Sequence, residues 1–165
     1  DVCPIKETER RMPMTETKQD RGALAETRRT LPIALLRARE SVMERFRPML
    51  SAHDITEQQW RVLRVLQEAG EADATQLARG ACILGPSLTR ILRALEARGL
   101  VEVRRDPGDG RRSIIRLTGE GTGFIAAITP ESQAIYAGIE AKLGARRLDD
   151  LLDGLDDLLR LLGDP

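Results

Sequence analysis

The sequence predicts a mostly α fold with one two-stranded β hairpin in its second half, and three observations point there. Leu and Ala dominate the 41% hydrophobic content of the 165 residues, while only four residues are aromatic. Beyond residue 30, apolar residues recur at helical spacing over most of the chain. Between Val101 and Leu117 that period falls to two, around the turn-forming run Pro107-Gly108-Asp109-Gly110.

Composition narrows the function classes. No apolar run approaches the roughly 20 residues that a membrane-spanning helix needs. One histidine (His53) and two distant cysteines (Cys3 and Cys82) offer too few ligands for a metal site and no disulfide framework, which suits a reducing cytoplasm. No cofactor, metal or catalytic role is expected. Net charge is zero, yet residues 84–117 hold eight arginines against four carboxylates and no lysine. The planar arginine fork matches phosphates and guanine edges better than a lysine point charge does.

Taken in order, residues 1–30 are polar, mix charges and contain two prolines, and are expected to form a disordered tail. Residues 31–53 read as a first, amphipathic dimerisation helix, with Leu35, Leu36, Val42, Met43, Phe46, Met49 and Leu50 on one side. Pro32 stands near its start, where proline is tolerated, and Pro48 at its expected fraying end.

Thr56-Glu57-Gln58-Gln59 is a capping box, flanked by Ile55 and Trp60 in the positions of a hydrophobic staple. The helix it opens runs through Leu63 and Leu66 to a stop at Gly70. Asp73-Ala74-Thr75-Gln76 repeats the box before a short helix that ends near Ala81. Gly85-Pro86 is expected to supply an N-cap and a proline at the first helical position. The helix that follows buries Leu88, Ile91, Leu92 and Leu95 and ends at Gly99. Cys82, between Ala81 and Ile83, is expected to be a small buried hydrophobe, with an exposed redox-sensing thiolate as the alternative.

After the hairpin, Thr118 caps a helix weakened at first by Gly119, Gly121 and Gly123, which Pro130 is expected to kink or break near Thr129. The last helix sets Leu148, Leu151, Leu152, Leu155, Leu158, Leu159 and Leu162 against Asp149, Asp150, Asp153, Asp156 and Asp157. Residues 118–165 are accordingly taken as C-terminal dimerisation helices.

Helix, short helix, turn, helix and two-stranded hairpin within residues 54–117 make a winged helix-turn-helix with a two-stranded β wing, flanked by helices on both sides. Opposite its leucines the third helix of this module presents Pro86, Ser87, Thr89, Arg90 and Arg93, which suits phosphates and base edges in a major groove. At the wing tip Arg111 and Arg112 are placed to enter a minor groove, with Asp109 positioned to pair with Arg111. The expected partner is double-stranded DNA; a winged-helix protein-interaction module is the alternative. Both apolar stripes that flank the module need a partner surface. A homodimer provides one and predicts an inverted-repeat operator, whereas an intrachain bundle is the competing arrangement. Arg39 lies among apolar positions of the first helix and needs a partner. That partner is either a carboxylate of the acidic last helix or the carboxylate of a small aromatic effector near Trp60, itself otherwise a core and staple residue. His53 is expected in solvent or bonding a loop.

These residues carry a resemblance. Ser87-Leu88-Thr89-Arg90, the run Leu95-Glu96-Ala97-Arg98-Gly99-Leu100-Val101, and Asp109-Gly110-Arg111 ahead of Leu117-Thr118 resemble the MarR (multiple antibiotic resistance) regulators, over residues 31–165. Within that family, residues 31–50, Thr56 to Leu63 and Pro86 to Leu92 are most similar to regulators of homoprotocatechuate degradation operons. The resemblance implies that Asp109 and Arg111 form the family's wing pair and that the first and last helices intertwine in a homodimer. It further implies an aromatic catabolite such as a hydroxyphenylacetate as effector.

Overall fold

In a computed structural model of the chain, residues 30–108 and 112–163 are described. Their elements are α1 (Leu31–Ala52), α2 (Glu57–Ala69), β1 (Glu71–Asp73), α3 (Ala74–Gly80), α4 (Gly85–Ala97), β2 (Val101–Arg105), β3 (Ser113–Leu117), α5 (Gly119–Leu143) and α6 (Ala145–Leu162). The chain divides into two compact units, Asp1–Glu40 and Ser41–Pro165. Of the first, the described part is the opening of α1; the tail expected over residues 1–30 lies outside the described residues except for Thr30. The second unit contains all other elements and the hydrophobic core.

Both capping boxes form. The Thr56 hydroxyl accepts from the Gln59 amide at 3.2 Å, and the Gln59 side chain returns to the Thr56 amide at 2.9 Å. Asp73 and Gln76 make the same exchange at 2.8 and 3.0 Å. Each box satisfies two amide donors that an unadorned helix start leaves open. Ile55 and Trp60 are both buried, as the staple requires. The core joins Leu63 and Leu66 of α2, Leu77 of α3, Leu88 and Leu95 of α4, Ile115 of β3, and Ile125 and Ile128 of α5.

The sheet has three strands rather than the two expected. β1 pairs antiparallel with β3 (Glu71 opposite Arg116, Asp73 opposite Ile114), and β2 pairs with the other edge of β3 (Val101 opposite Leu117, Arg105 opposite Ser113). Three residues are too few for an alternating pattern to register in sequence. Both interior prolines are tolerated. α1 continues through Pro48 to Ala52 and α5 through Pro130 to Leu143. Buried Phe46, Met49 and Leu50 flank the first proline, and buried Ile125, Ile128 and Ser132 flank the second. Packing on both sides offsets the lost amide donor. The N-cap of α4 is Leu84, without a side-chain cap, so Gly85 lies inside the helix and Pro86 in its first turn.

Gly121 is the glycine after Thr118 that packing demands. A Cβ there would overlap the backbone carbonyl of Leu100, so only glycine lets α5 approach the start of β2 this closely. Thr118 fixes the approach: its hydroxyl donates to the Gly99 carbonyl at 2.6 Å and accepts from the Gly121 amide at 3.0 Å. The loss of helix propensity at the start of α5 is thus offset by tertiary contact.

α6 buries none of its residues, and Leu151, Leu152, Leu159 and Leu162 stand exposed. Among the described residues no helix is long and apolar enough to cross a membrane, and no group of His, Cys, Asp and Glu side chains could hold a metal ion.

Candidate nucleic-acid interface

α4 is amphipathic in the sense the sequence requires. Leu88, Ile91, Leu92 and Leu95 are buried, and on the opposite side Pro86, Thr89, Arg90 and Arg93 are exposed, with Ser87 half-buried. The Thr89 hydroxyl donates back to the Gly85 carbonyl at 3.4 Å. Leu84, the N-cap, is 80% exposed at the same end of the helix.

The arginines of this region fall into two groups that composition could not separate. The side chains of Arg90, Arg93 and Arg105 have no hydrogen bond or ion pair among the described residues, and all three residues are exposed. The others are engaged. Arg98, at the C-cap of α4, donates to the carbonyls of Asp54 (2.6 Å) and His53 (3.3 Å), with its guanidinium 5.2 Å from the centre of the Phe124 ring. Arg116 bonds Glu102 across the β2–β3 ladder, and Arg104 reaches the same carboxylate. These two guanidinium groups, Arg116 foremost, hold the Glu102 carboxyl below the usual carboxylate range. Arg105, at the wing end of β2, is a candidate contact that the sequence reading passed over. Its signal was a second arginine beside Arg104 where the strand meets the turn.

Arg112 stands at the foot of the wing turn, where its carbonyl accepts from the Asp106 amide at 2.9 Å. Its guanidinium bonds Asp73 Oδ2 from Nε (3.0 Å) and Nη2 (2.6 Å), and its side chain is still 46% accessible. Asp109 and Arg111 lie outside the described residues. The Asp73 carboxyl is held below its ordinary value, first by the Gln76 amide and then by Arg112.

The two residues expected at an effector site, Trp60 and Arg39, differ in their surroundings. Trp60 is 9% exposed and belongs to the core. Arg39 is an exposed residue of α1 whose guanidinium pairs with its neighbour Glu40 at 2.7 Å. One helical step suffices because both side chains emerge into solvent. His53 Nε2 lies 2.9 Å from Glu131 Oε1 of α5, and its ring meets Phe124 edge-on. Cys82 is exposed, contrary to the expected burial. Its backbone turns left-handed (φ 50°) at the corner between α3 and α4, so Ala81 and Ile83 point inward and Cys82 outward.

With this geometry in view, the similarity to known proteins is informative. Residues 55–113, from the staple to the start of β3, match the MarR family. The chain is 42% identical to the HTH-type transcriptional regulator FarR of Neisseria gonorrhoeae, over 80% of this chain and 90% of that protein. It is 41% identical to the homoprotocatechuate degradative operon repressor of Escherichia coli, over 80% and 89%.

The chain belongs to the MarR family.

Its winged helix-turn-helix is thus the DNA-binding module of a transcriptional regulator. Among solved MarR-family structures, NadR in complex with 4-hydroxyphenylacetate is 42% identical, with a TM-score of 0.73 over 81% of this chain and 95% of that one. The transcriptional repressor CouR bound to a 23-mer DNA duplex is 30% identical, with a TM-score of 0.73 over 82% and 96%.

Proposed function

We propose that this MarR-family protein is a cytoplasmic repressor of an aromatic-compound catabolism operon, acting as a homodimer on an inverted-repeat operator and released by a small aromatic acid. The observation that carries the reading is α4: a helix whose leucines are buried and whose opposite side offers Arg90 and Arg93 without side-chain partners among the described residues. Desolvating a guanidinium is costly unless a partner awaits. Phosphates and guanine edges supply such partners in a major groove. Arg105, exposed at the wing end of β2, adds a further cation beyond α4.

Dimerisation is supported by α6, whose leucine stripe is exposed in a single chain and opposed by aspartates that keep the outer side solvated. Two copies related by a two-fold axis set their recognition helices one DNA turn, about 34 Å, apart. For the effector, the relatives that act on homoprotocatechuate genes or bind 4-hydroxyphenylacetate point to an aromatic carboxylate. By linkage, such a ligand weakens DNA binding only if it prefers the conformation that DNA does not select.

The deciding experiment is a footprint on the DNA upstream of the protein's own gene, with and without 4-hydroxyphenylacetate. Protection of a symmetric site, lost on adding the acid, is the expected result. A protected site indifferent to phenylacetates and benzoates would remove the effector and leave the regulator. DNA binding that barely changes with salt would contradict an arginine-driven interface and favour a protein partner.

A further inference from the structure

Asp73 does two things at once. Its Oδ1 caps α3 through the Gln76 amide at 2.8 Å, and its Oδ2 receives both Nε and Nη2 of Arg112 at 3.0 and 2.6 Å. β1 ends at Asp73, opposite Ile114, so the ion pair extends the contact between β1 and the β3 side of the wing beyond the last paired rung. Past this point the wing is a two-stranded ribbon, which is only marginally stable by itself and free to twist. Its foot is organised by the Asp106 amide donating to the Arg112 carbonyl and the Gly108 amide donating to Asp106 Oδ1 at 2.8 Å. Asp73 is largely sheltered, with 16% of its side chain accessible, whereas Arg112 is 46% accessible. The carboxylate is the anchored partner and the guanidinium the carried one.

We infer that Asp73 is a positioning residue for DNA recognition: it braces the wing against α3 through Arg112, fixing the wing relative to α4 so that both meet the duplex together. The inference rests on the DNA-binding reading given above and adds to it a residue that need not touch DNA. Electrostatics makes the claim sharp, because a carboxylate beside a DNA-binding surface repels phosphate and its removal should by itself tighten binding to any duplex. A brace predicts the opposite for the operator.

The experiment uses the full chain, with a duplex selected by the wild-type protein from a random pool and a shuffled duplex as control. In Asp73→Ser the hydroxyl keeps the α3 cap but cannot hold Arg112; Asp73→Asn keeps both shape and cap without the charge and serves if the serine variant melts early. Expected is an operator affinity lower by about tenfold, with shuffled-duplex affinity unchanged or raised. Asp73→Ser combined with Arg112→Ala should bind no more weakly than Arg112→Ala alone. An operator affinity that is unchanged or higher in folded Asp73 variants would overturn the brace while leaving DNA binding intact. Failure of the wild-type protein to select any duplex would instead overturn the reading beneath it.

Discussion

Arg90 and Arg98 lie eight residues apart on and just past one helix, carry the same charge and are both exposed, yet the structure assigns them opposite jobs. Arg90→Ala removes a side chain with no protein partner among the described residues. Its effect on folding should stay within about 0.5 kcal/mol, as for surface positions generally. If the guanidinium reads a guanine, its loss costs about 1–3 kcal/mol of operator binding, or roughly 5- to 150-fold. Arg98→Ala removes two hydrogen bonds to the carbonyls of His53 and Asp54 and a cation placed over Phe124. Exposure to water reduces each hydrogen bond to well under 1 kcal/mol, and the ring contact adds about 0.5–1 kcal/mol. Together they amount to about 2 kcal/mol, or roughly 4–8 °C in melting temperature for a chain of this size. Thermal denaturation followed by circular dichroism, alongside fluorescence anisotropy on operator and shuffled duplexes, separates the two. Should Arg90→Ala lower the melting point as much as Arg98→Ala does, or leave operator affinity within about twofold of wild type, the division of the arginines is wrong.

Other consequences are as direct. Gly121→Ala drives a methyl into the Leu100 carbonyl and should destabilise the fold by about 3 kcal/mol, read as a lower denaturant midpoint with an unchanged slope. Asp73 titrates below its ordinary value in the folded chain, so its contribution is present above the unfolded carboxyl pKa of about 3.9 and fades as pH drops through the folded value. The stability gap between wild type and Asp73→Ser should therefore be constant from about pH 7 to about pH 5 and close below about pH 4, as chemical denaturation across that range can show. Trp60 is the sole tryptophan of the chain; adding 4-hydroxyphenylacetate should change its emission saturably, and a flat titration would place the effector elsewhere. Leu152→Asp puts a charge into the exposed stripe of α6 and should convert a sedimenting dimer to monomer at micromolar protein, with weaker operator binding.

What the sequence by itself determined was the part of the molecule written in short-range chemistry. A capping box is a side chain bonding an amide three residues on, so Thr56 and Asp73 announce their helices without reference to the rest of the chain. The buried leucines and outward arginines of α4 follow from a period of 3.6 and needed nothing else. Tertiary structure alone decided the rest. Asp73 meets Arg112 across 39 residues and Arg98 meets Asp54 across 44, and no local pattern marks either pairing. β1 exists because β3 offers it an edge, and Pro48 and Pro130 stay helical because the core holds the turns on both sides of each. Which arginines remain available to DNA is likewise a long-range outcome: charge is a property of the residue, but availability depends on whichever carboxylate or carbonyl the fold brings within reach.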